Sequence, residues 1–292
     1  MLIIHFSIII AHYAPDETYR KILKETIKSI RNQVFDGKVE IIVTDDGSDW
    51  ARDLINADQE ITFYSKNDIQ NCSKLQDLAI DLFIAKRRDN TYCKAKLWNL
   101  ATSCSKYSHL IFLDDDHYLK NIKSLRIYSS LFGKYRFIIG RIQESSGLYR
   151  LYSHFTVQGT NIGIEKKLLA EVGGFGEYTS QWGRGEDSDI FLKIYQYAQQ
   201  KSQLPIAGYA GNIITRDMAS GRWKKCKGSE EIFIQGFQTL YGTPPHDVSL
   251  NKSRDKKLWV HHTSKYPGLS ELYFKILNGL YFIRFQILSL HF

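Results

Sequence analysis

Apolar and polar positions follow two periods along the first half of the chain. Phe6 to Ala11 is a short β-branched apolar run, and Val39 to Thr44, Ile61 to Tyr64 and Leu110 to Leu113 repeat it, as strands buried on both faces do. Between the first two runs, Ile22, Leu23, Ile27, Ile30 and Val34 recur at helical spacing, which predicts an amphipathic helix over Thr18 to Gln33. Ala95 to Cys104 reads as another helix. Strands separated by helices imply βαβ units and a mostly parallel sheet, so the expected fold class is α/β. The second half is more mixed. Phe137 to Ile142 and Tyr149 to Thr156 are predicted strands. Glu165 to Val172 is a predicted helix stopped by Gly173-Gly174. Glu186 to Gln200 is a predicted helix whose acidic first turn suits the helix dipole. Gly242 to Lys257 is polar, carries Pro244-Pro245 and reads as loop.

The tail has its own pattern. Pro267-Gly268 breaks the chain, Ser270 is the predicted N-cap, and Leu269 and Phe274 are spaced as a hydrophobic staple. On a helical wheel Glu271, Lys275, Asn278, Gly279, Gln286 and Ser289 share one side, with Phe282 intruding and Arg284 opposite. The remainder is a wide apolar face. It suits an interfacial membrane contact through residues 270–292, or packing on the domain or a second subunit. A bilayer span takes about 20 mostly apolar residues, and Lys275, Asn278 and Arg284 interrupt this stretch. The expected division is an α/β domain over residues 1–250, then a basic loop and amphipathic helix over 251–292.

Composition narrows the partners. The chain has 292 residues, and 43% apolar with 13% aromatic content excludes a disordered chain. Lys and Arg outnumber Asp and Glu by 39 to 31, a net +8 that suits an anionic partner as well as it suits a solvated basic surface. The basic residues are scattered and form no recognised nucleic-acid motif, so no nucleic-acid partner is expected. Cys72, Cys93, Cys104 and Cys226 form no CxxC pair, which argues against zinc and fits a reducing cytoplasm. Leu2 to Ala11 lacks the basic flank and cleavage site of a signal peptide. The expected location is cytoplasmic, peripheral on the inner face of the cell membrane if the tail binds lipid.

Carboxylates cluster where a doubly wound sheet puts its ligand. Asp45 and Asp46 close the second predicted strand, and Asp114, Asp115 and Asp116 close the fourth. Such groups repel one another unless a cation or ligand donors relieve them, and Mg²⁺ or Mn²⁺ takes carboxylate plus phosphate oxygens. Strand-end aspartates also form simple turns. Two clusters, each after an apolar strand, favour the ligand site.

Phe6-Ser7-Ile8-Ile9-Ile10-Ala11-His12-Tyr13 resembles the opening strand of family 2 glycosyltransferases of the Rossmann-like GT-A fold, with Ala11-His12 where that family usually has Pro-Thr. Val43-Thr44-Asp45-Asp46-Gly47-Ser48 resembles its nucleotide-binding strand end. Lys94-Ala95-Lys96-Leu97-Trp98-Asn99 is similar to its Ala-Arg-Asn helix, with Lys for Arg, and Ile111 to Asp116 matches its DxD motif. Val172-Gly173-Gly174-Phe175-Gly176-Glu177 and Trp182-Gly183-Arg184-Gly185-Glu186-Asp187-Ser188-Asp189 resemble the acceptor-side motif of galactosyl- and N-acetylgalactosaminyltransferases. The resemblance implies that Tyr13 stacks on the nucleobase and that Asp45 or Asp46 accepts its N–H or the ribose hydroxyls. It implies further donor contacts from Lys94 or Lys96, Asn99 and Asp115. Asp116 would bind Mn²⁺ or Mg²⁺, with Asp114 helping to hold the ion or the ribose. Asp187 would be the general base. Glu186, Trp182 and Gly183 would lie against the acceptor.

Asp217 and His246 are both candidates for a third metal ligand, whereas His117 is expected to turn away from the metal and His261-His262 to be a surface or packing pair. The basic run Arg222 to Lys227 fits a loop closing over a diphosphate, a counter-charge for an acidic acceptor, or a solvated loop. The implied activity is inverting, metal-dependent transfer from a UDP-sugar to a glycan or lipid-linked acceptor, in bacterial capsule or lipopolysaccharide synthesis. Two other readings stay open. A nucleotidyltransferase making nucleotide sugars would need a Gly-rich phosphate loop near the N-terminus that this sequence lacks. A non-catalytic glycan-binding protein on the same fold would not need Asp114, Asp116 and Asp187 intact.

Overall fold

The computed structural model describes residues 3–56, 58–88, 93–152, 157–218, 229–242, 245 and 260–289, with backbone alone at 229 and 283–289. The elements run β1 (Phe6–His12), α1 (Glu17–Arg31), β2 (Val39–Asp45), β3 (Ile61–Ser65), α2 (Lys66–Asn71), β4 (Leu82–Lys86), α3 (Lys94–Cys104), β5 (His109–Asp114), β6 (His117–Leu119), α4 (Ser124–Phe132), β7 (Phe137–Gln143), β8 (Ile162–Glu165), α5 (Lys166–Glu171), α6 (Glu186–Gln200), β9 (Ala207–Asp217), α7 (Ser229–Tyr241), β10 (Val260–His262) and α8 (Pro267–Ser289). The strands form one sheet in the order β10-β9-β7-β8-β5-β1-β2-β4-β3, with β6 pairing β9. Its central strands β5, β1, β2 and β4 are parallel. β8 runs antiparallel to both its neighbours, and β3 is an antiparallel edge.

The unbroken apolar runs follow from a sheet covered on both faces. Ile9, Ile42, Ile84 and Phe112 pack with Trp98 of α3, Leu168 of α5 and Phe191 and Ile194 of α6. The alternate positions Ile8, Ile10, Val43, Ile111 and Leu113 pack with Leu23 and Ile27 of α1 and Leu125 and Tyr128 of α4. Register then sets the strand ends level: His12 lies opposite Asp45, and Ala11 opposite Asp114.

The β7–β9 ladder breaks between Gly140 and Arg141. Buried Asn161, in the left-handed region at φ 56°, fills the break. Its Nδ2 donates to the Arg141 and Ile213 carbonyls at 2.9 and 3.2 Å, and its Oδ1 accepts from the Tyr128 hydroxyl at 3.0 Å. A Cβ on Gly140 would stand 2.1 Å from Asn161 Nδ2, so only glycine fits.

Four sequence expectations change. First, residues 149–152 form no strand beyond one bridge from Tyr149 to Gln143, and 153–156 lie outside the described residues. Their backbone is bonded by α8 side chains instead: Asn278 pairs with the Tyr149 amide and carbonyl at 2.8 and 2.9 Å, and Glu271 accepts from the Tyr152 amide at 2.8 Å. Second, β4 precedes the Asp114 strand, which is therefore the fifth. Third, Val260 to His262 is an edge strand beside β9. Fourth, α8 starts at Pro267, a residue suited to a first helical position. Ser270 is not its cap, because its amide donates to the Tyr266 carbonyl at 3.0 Å. Leu269 is 65% exposed and forms no staple.

α8 docks through Glu271, Phe274 and Asn278. Glu271 pairs with the fully buried Arg141 guanidinium, which also sits 3.8 Å over the Phe274 ring. Burial pushes the Glu271 carboxyl up, but His262 and Arg141 outweigh it and hold it down at about 2. Leu269, Leu272, Tyr273, Ile276, Leu280 and Phe282 face outward, each more than half exposed. Among the described residues no helix is long and apolar enough to cross a membrane.

Gly140→Ala should cost about 1–3 kcal/mol, the usual range for overpacking, because Asn161 must leave its carbonyl partners to admit a methyl group. Urea unfolding reads this as a lower midpoint; an unchanged midpoint would show that Asn161 yields freely.

Candidate active site

The second strand ends in a tight turn. Asp45 is fully buried and accepts from the Ser48 amide at 2.8 Å and from the Ser48 hydroxyl. Burial pushes its carboxyl up, against the lowering pull of His12 and Ser48. Gly47 adopts φ 77°, and a Cβ there would lie 2.7 Å from Arg88 Cα. Asp46 is the more accessible of the pair, with Cys93 Sγ at 2.9 Å and Lys86 Nζ at 4.0 Å. Tyr13 is half-buried, and the Arg88 guanidinium is 5.1 Å from its ring centroid. Arg52, Arg87 and Arg88 line a cavity of about 330 Å³ with Gly47 and Ile55. β4 shows no clean period in the sequence, so Arg87 and Arg88, which directly follow it, stand outside every predicted element.

The fifth strand ends in the acidic cluster. The Asp114 amide donates to Thr160 Oγ1 at 2.9 Å, and its carboxylate meets Lys94 Nζ at 2.8 Å. Asp115, expected to contact the donor, turns inward instead. It is fully buried, pairs with His12 Nδ1 and accepts from the Tyr13 amide at 3.4 Å. Trp50 Nε1, which can only donate, bonds His12 Nε2 at 3.0 Å, so the proton on that ring sits at Nδ1 and points at Asp115.

His117 corrects another expectation. Its ring faces the cluster, with Nδ1 2.8 Å from Asp116 Oδ1. Ligand atoms of Asp114, Asp116 and His117 all lie within 4.8 Å of one another. Two carboxylates and an imidazole at that spacing fit a divalent ion that accepts both oxygen and nitrogen. Desolvation pushes the His117 pKa down, but Asp116, Asp114 and Asp217 together raise it. Asp217 faces His117 across the β6–β9 ladder. His246 and the basic run 222–227 lie outside the described residues.

Lys94 joins this cluster to the Glu-Asp helix. Its ammonium reaches Glu186 Oε1 at 3.3 Å as well as Asp114, and lies 4.3 Å over the Trp98 ring. Burial works against its charge, yet Asp114 and Glu186 hold its pKa above the ordinary lysine value. Gly159, unnoticed in the sequence, packs at this junction: a Cβ on it would be 3.4 Å from Lys94 Nζ and 3.6 Å from the Asp187 side chain. Asp187 heads α6. Burial and the Glu186 charge push its carboxyl up to about 6, against the Ser188 amide, Lys94 and Arg184. Asp189 serves the fold, being fully buried and bonded to the Gly176 amide at 2.7 Å and to Lys193 at 2.9 Å. Trp182 is half-buried against Phe233 and Phe237 of α7 and precedes Gly183, which is exposed at φ 69°.

Two expected donor contacts lie elsewhere. Lys96 pairs with Glu60 at 2.9 Å toward the β3 side. Asn99 clamps the turn after α5, donating to the Phe175 carbonyl at 2.9 Å and accepting from its amide at 3.0 Å.

The sequence model of Glycosyl transferase family 2 matches residues 7–173, more than half of the chain. The chain belongs to this family. Its sheet order agrees with the GT-A fold that the motifs suggested. The solved structures it resembles include S. aureus TarS, at 14% identity and TM-score 0.51, covering 87% of this chain and 46% of that one. Another is the mannosyltransferase PcManGT from Pyrobaculum calidifontis in complex with GDP-Man and Mn²⁺, at 15% identity and TM-score 0.51, covering 80% and 61%. The chain thus spans about half to three-fifths of these relatives, and the likeness is one of fold. No curated protein sequence matches it.

The Asp187 carboxyl should titrate near pH 6 when followed by carboxyl-carbon NMR. Lys94→Met should move it higher, because a lost positive neighbour makes the carboxylate less favourable. A midpoint near 4, or no movement, would remove the electrostatic coupling described above.

Proposed function

We propose that this glycosyltransferase moves a sugar from a UDP-sugar to a hydroxyl of a glycan or lipid-linked acceptor, with inversion at the anomeric carbon. The observation that carries the reading is the Lys94 bridge, which draws Asp114 of the donor side and Glu186 of the acceptor side to one ammonium. Asp187, next to Glu186, is then placed to act as base.

In this reading Asp187 takes the proton from the acceptor hydroxyl. The oxygen forms its bond to the anomeric carbon as the bond to the diphosphate breaks on the opposite face, which inverts the centre. A carboxyl poised at about 6 is ionised at neutral pH yet basic enough for the task. Asp114 and Asp116 would hold Mn²⁺ or Mg²⁺, which supplies Lewis-acid stabilisation to the diphosphate. Lys94 keeps the two carboxylate groups together, while Tyr13 and Asp46 receive the nucleoside. The half-exposed edge of Trp182 beside Gly183 offers the acceptor sugar an aromatic face. A GDP-sugar is the second reading, favoured by the GDP-Man bound to PcManGT.

The exposed face of α8, with Lys265 and Lys275 also exposed, suits anionic lipid and therefore a lipid-linked acceptor on the inner face of a bacterial membrane. Capsule or lipopolysaccharide assembly fits that setting.

Calorimetric titration with UDP and with GDP, with and without Mn²⁺, tests the donor site. Micromolar, metal-dependent binding of one nucleotide is expected, lost in Asp116→Ala. Asp187→Asn should keep that binding and lower transfer by about 10²-fold or more; near-normal transfer would end its role as base. For the membrane contact, Leu272, Ile276 and Leu280 changed together to Gln should abolish co-sedimentation with phosphatidylglycerol vesicles. These positions leave the Arg141–Glu271 pair untouched, so retained binding would place the contact elsewhere.

A further inference from the structure

We infer that His117 is a nitrogen ligand of the divalent cation, making the site an imidazole–dicarboxylate set that prefers Mn²⁺ to Mg²⁺. The inference rests on the metal-dependent reading above.

Backbone placement comes first. β6 begins at His117 and pairs with the end of β9, His117 opposite Asp217, so the residue after the DxD is held in a ladder rather than left in a loop. The Met218 amide donates to the Asp116 carbonyl at 2.9 Å and ties the same corner from the other strand. His117 is 8% exposed, and its ring turns back on Asp116, with Nδ1 2.8 Å from Oδ1. A proton now links those two atoms. A cation that displaces this proton would find a lone pair on each of the two atoms.

Size agrees. Bonds of about 2.1 Å put ligands on one small ion up to about 4.2 Å apart. The ligand atoms of Asp114, Asp116 and His117 lie within 4.8 Å, so side-chain shifts of a few tenths of an ångström close the set. Lys94 bonds one Asp114 oxygen and leaves the other for the ion. Chemistry then selects. Sites of carboxylate and water alone suit Mg²⁺, while an imidazole adds affinity for first-row transition ions. If His117 served only to orient Asp116, the ion would see oxygen alone.

Electron spin-echo envelope modulation of Mn²⁺ bound to the full chain with UDP separates these. The expected spectrum shows the coupling of a directly bound ¹⁴N, absent from His117→Asp, which still holds Mn²⁺ through oxygen. In competition titrations the same variant should lose at least about tenfold of the preference for Mn²⁺ over Mg²⁺. Bound Mn²⁺ without ¹⁴N coupling in the wild-type protein overturns the inference and leaves the metal-dependent reading standing. A ¹⁴N coupling that survives in His117→Asp assigns the nitrogen to another residue and also overturns it. No Mn²⁺ binding, with or without UDP, ends both.

Discussion

The in-register parallel pairing of β1 with β2 and β5 is the constraint from which the site follows. It brings His12, Asp45 and Asp114 to one level at the carboxyl edge of the sheet. Once there, His12 becomes the tie between strand ends. Its Nδ1 proton goes to Asp115, its Nε2 accepts from Trp50, and Asp45 lies 3.9 Å from that same nitrogen. The side chain crosses beneath the site and holds Asp115 inward, while Ser48 holds Asp45. The neighbouring Asp of each pair is thereby left facing the ligand side.

Charge is arranged with the same economy. The five carboxylates of the two strand ends, with Glu186 and Asp187 of α6, would repel one another if all faced solvent together. The fold separates their duties. Asp45 and Asp115 are buried with hydrogen-bond donors, Asp114 and Glu186 share Lys94, and Asp116 has His117. Asp187 keeps a raised pKa because burial and the Glu186 charge outweigh the Ser188 amide, Lys94 and Arg184.

β1, β2, β3, β5 and β7, with α1, α3, α5, α6 and the two acidic strand ends, were legible in sequence because apolar runs mark the strands, apolar residues recur at helical spacing, and aspartates close two of the strands. β4, β6, β8, β9 and β10 were not. β4 is five residues closed by a lysine, and β9 carries Gly208, Gly211 and Asn212 across its ladder break, so neither shows a clean period. Side-chain direction was also hidden. Asp115 and Asp116 are adjacent in sequence and opposite in role, since consecutive strand-end residues point to opposite sides. Asn99 and Lys96 share a helix with Lys94 but face away from it. His117 was misjudged because its orientation depends on β9, which lies about a hundred residues further along the chain. The docking residues Glu271 and Asn278 of α8 were recognised as polar, but not as partners of the domain, because residues 149–152, whose backbone they bond, read as a strand.

That docking has a thermodynamic consequence. Amphipathic segments that fold on contact surrender conformational entropy when they bind, and this weakens each encounter. α8 has already lost that freedom to Arg141, Tyr149 and Tyr152. Covering its outer side therefore asks for dehydration alone, with no further ordering of the backbone, and association should show a heat-capacity decrease set by the apolar area of one rigid helix face.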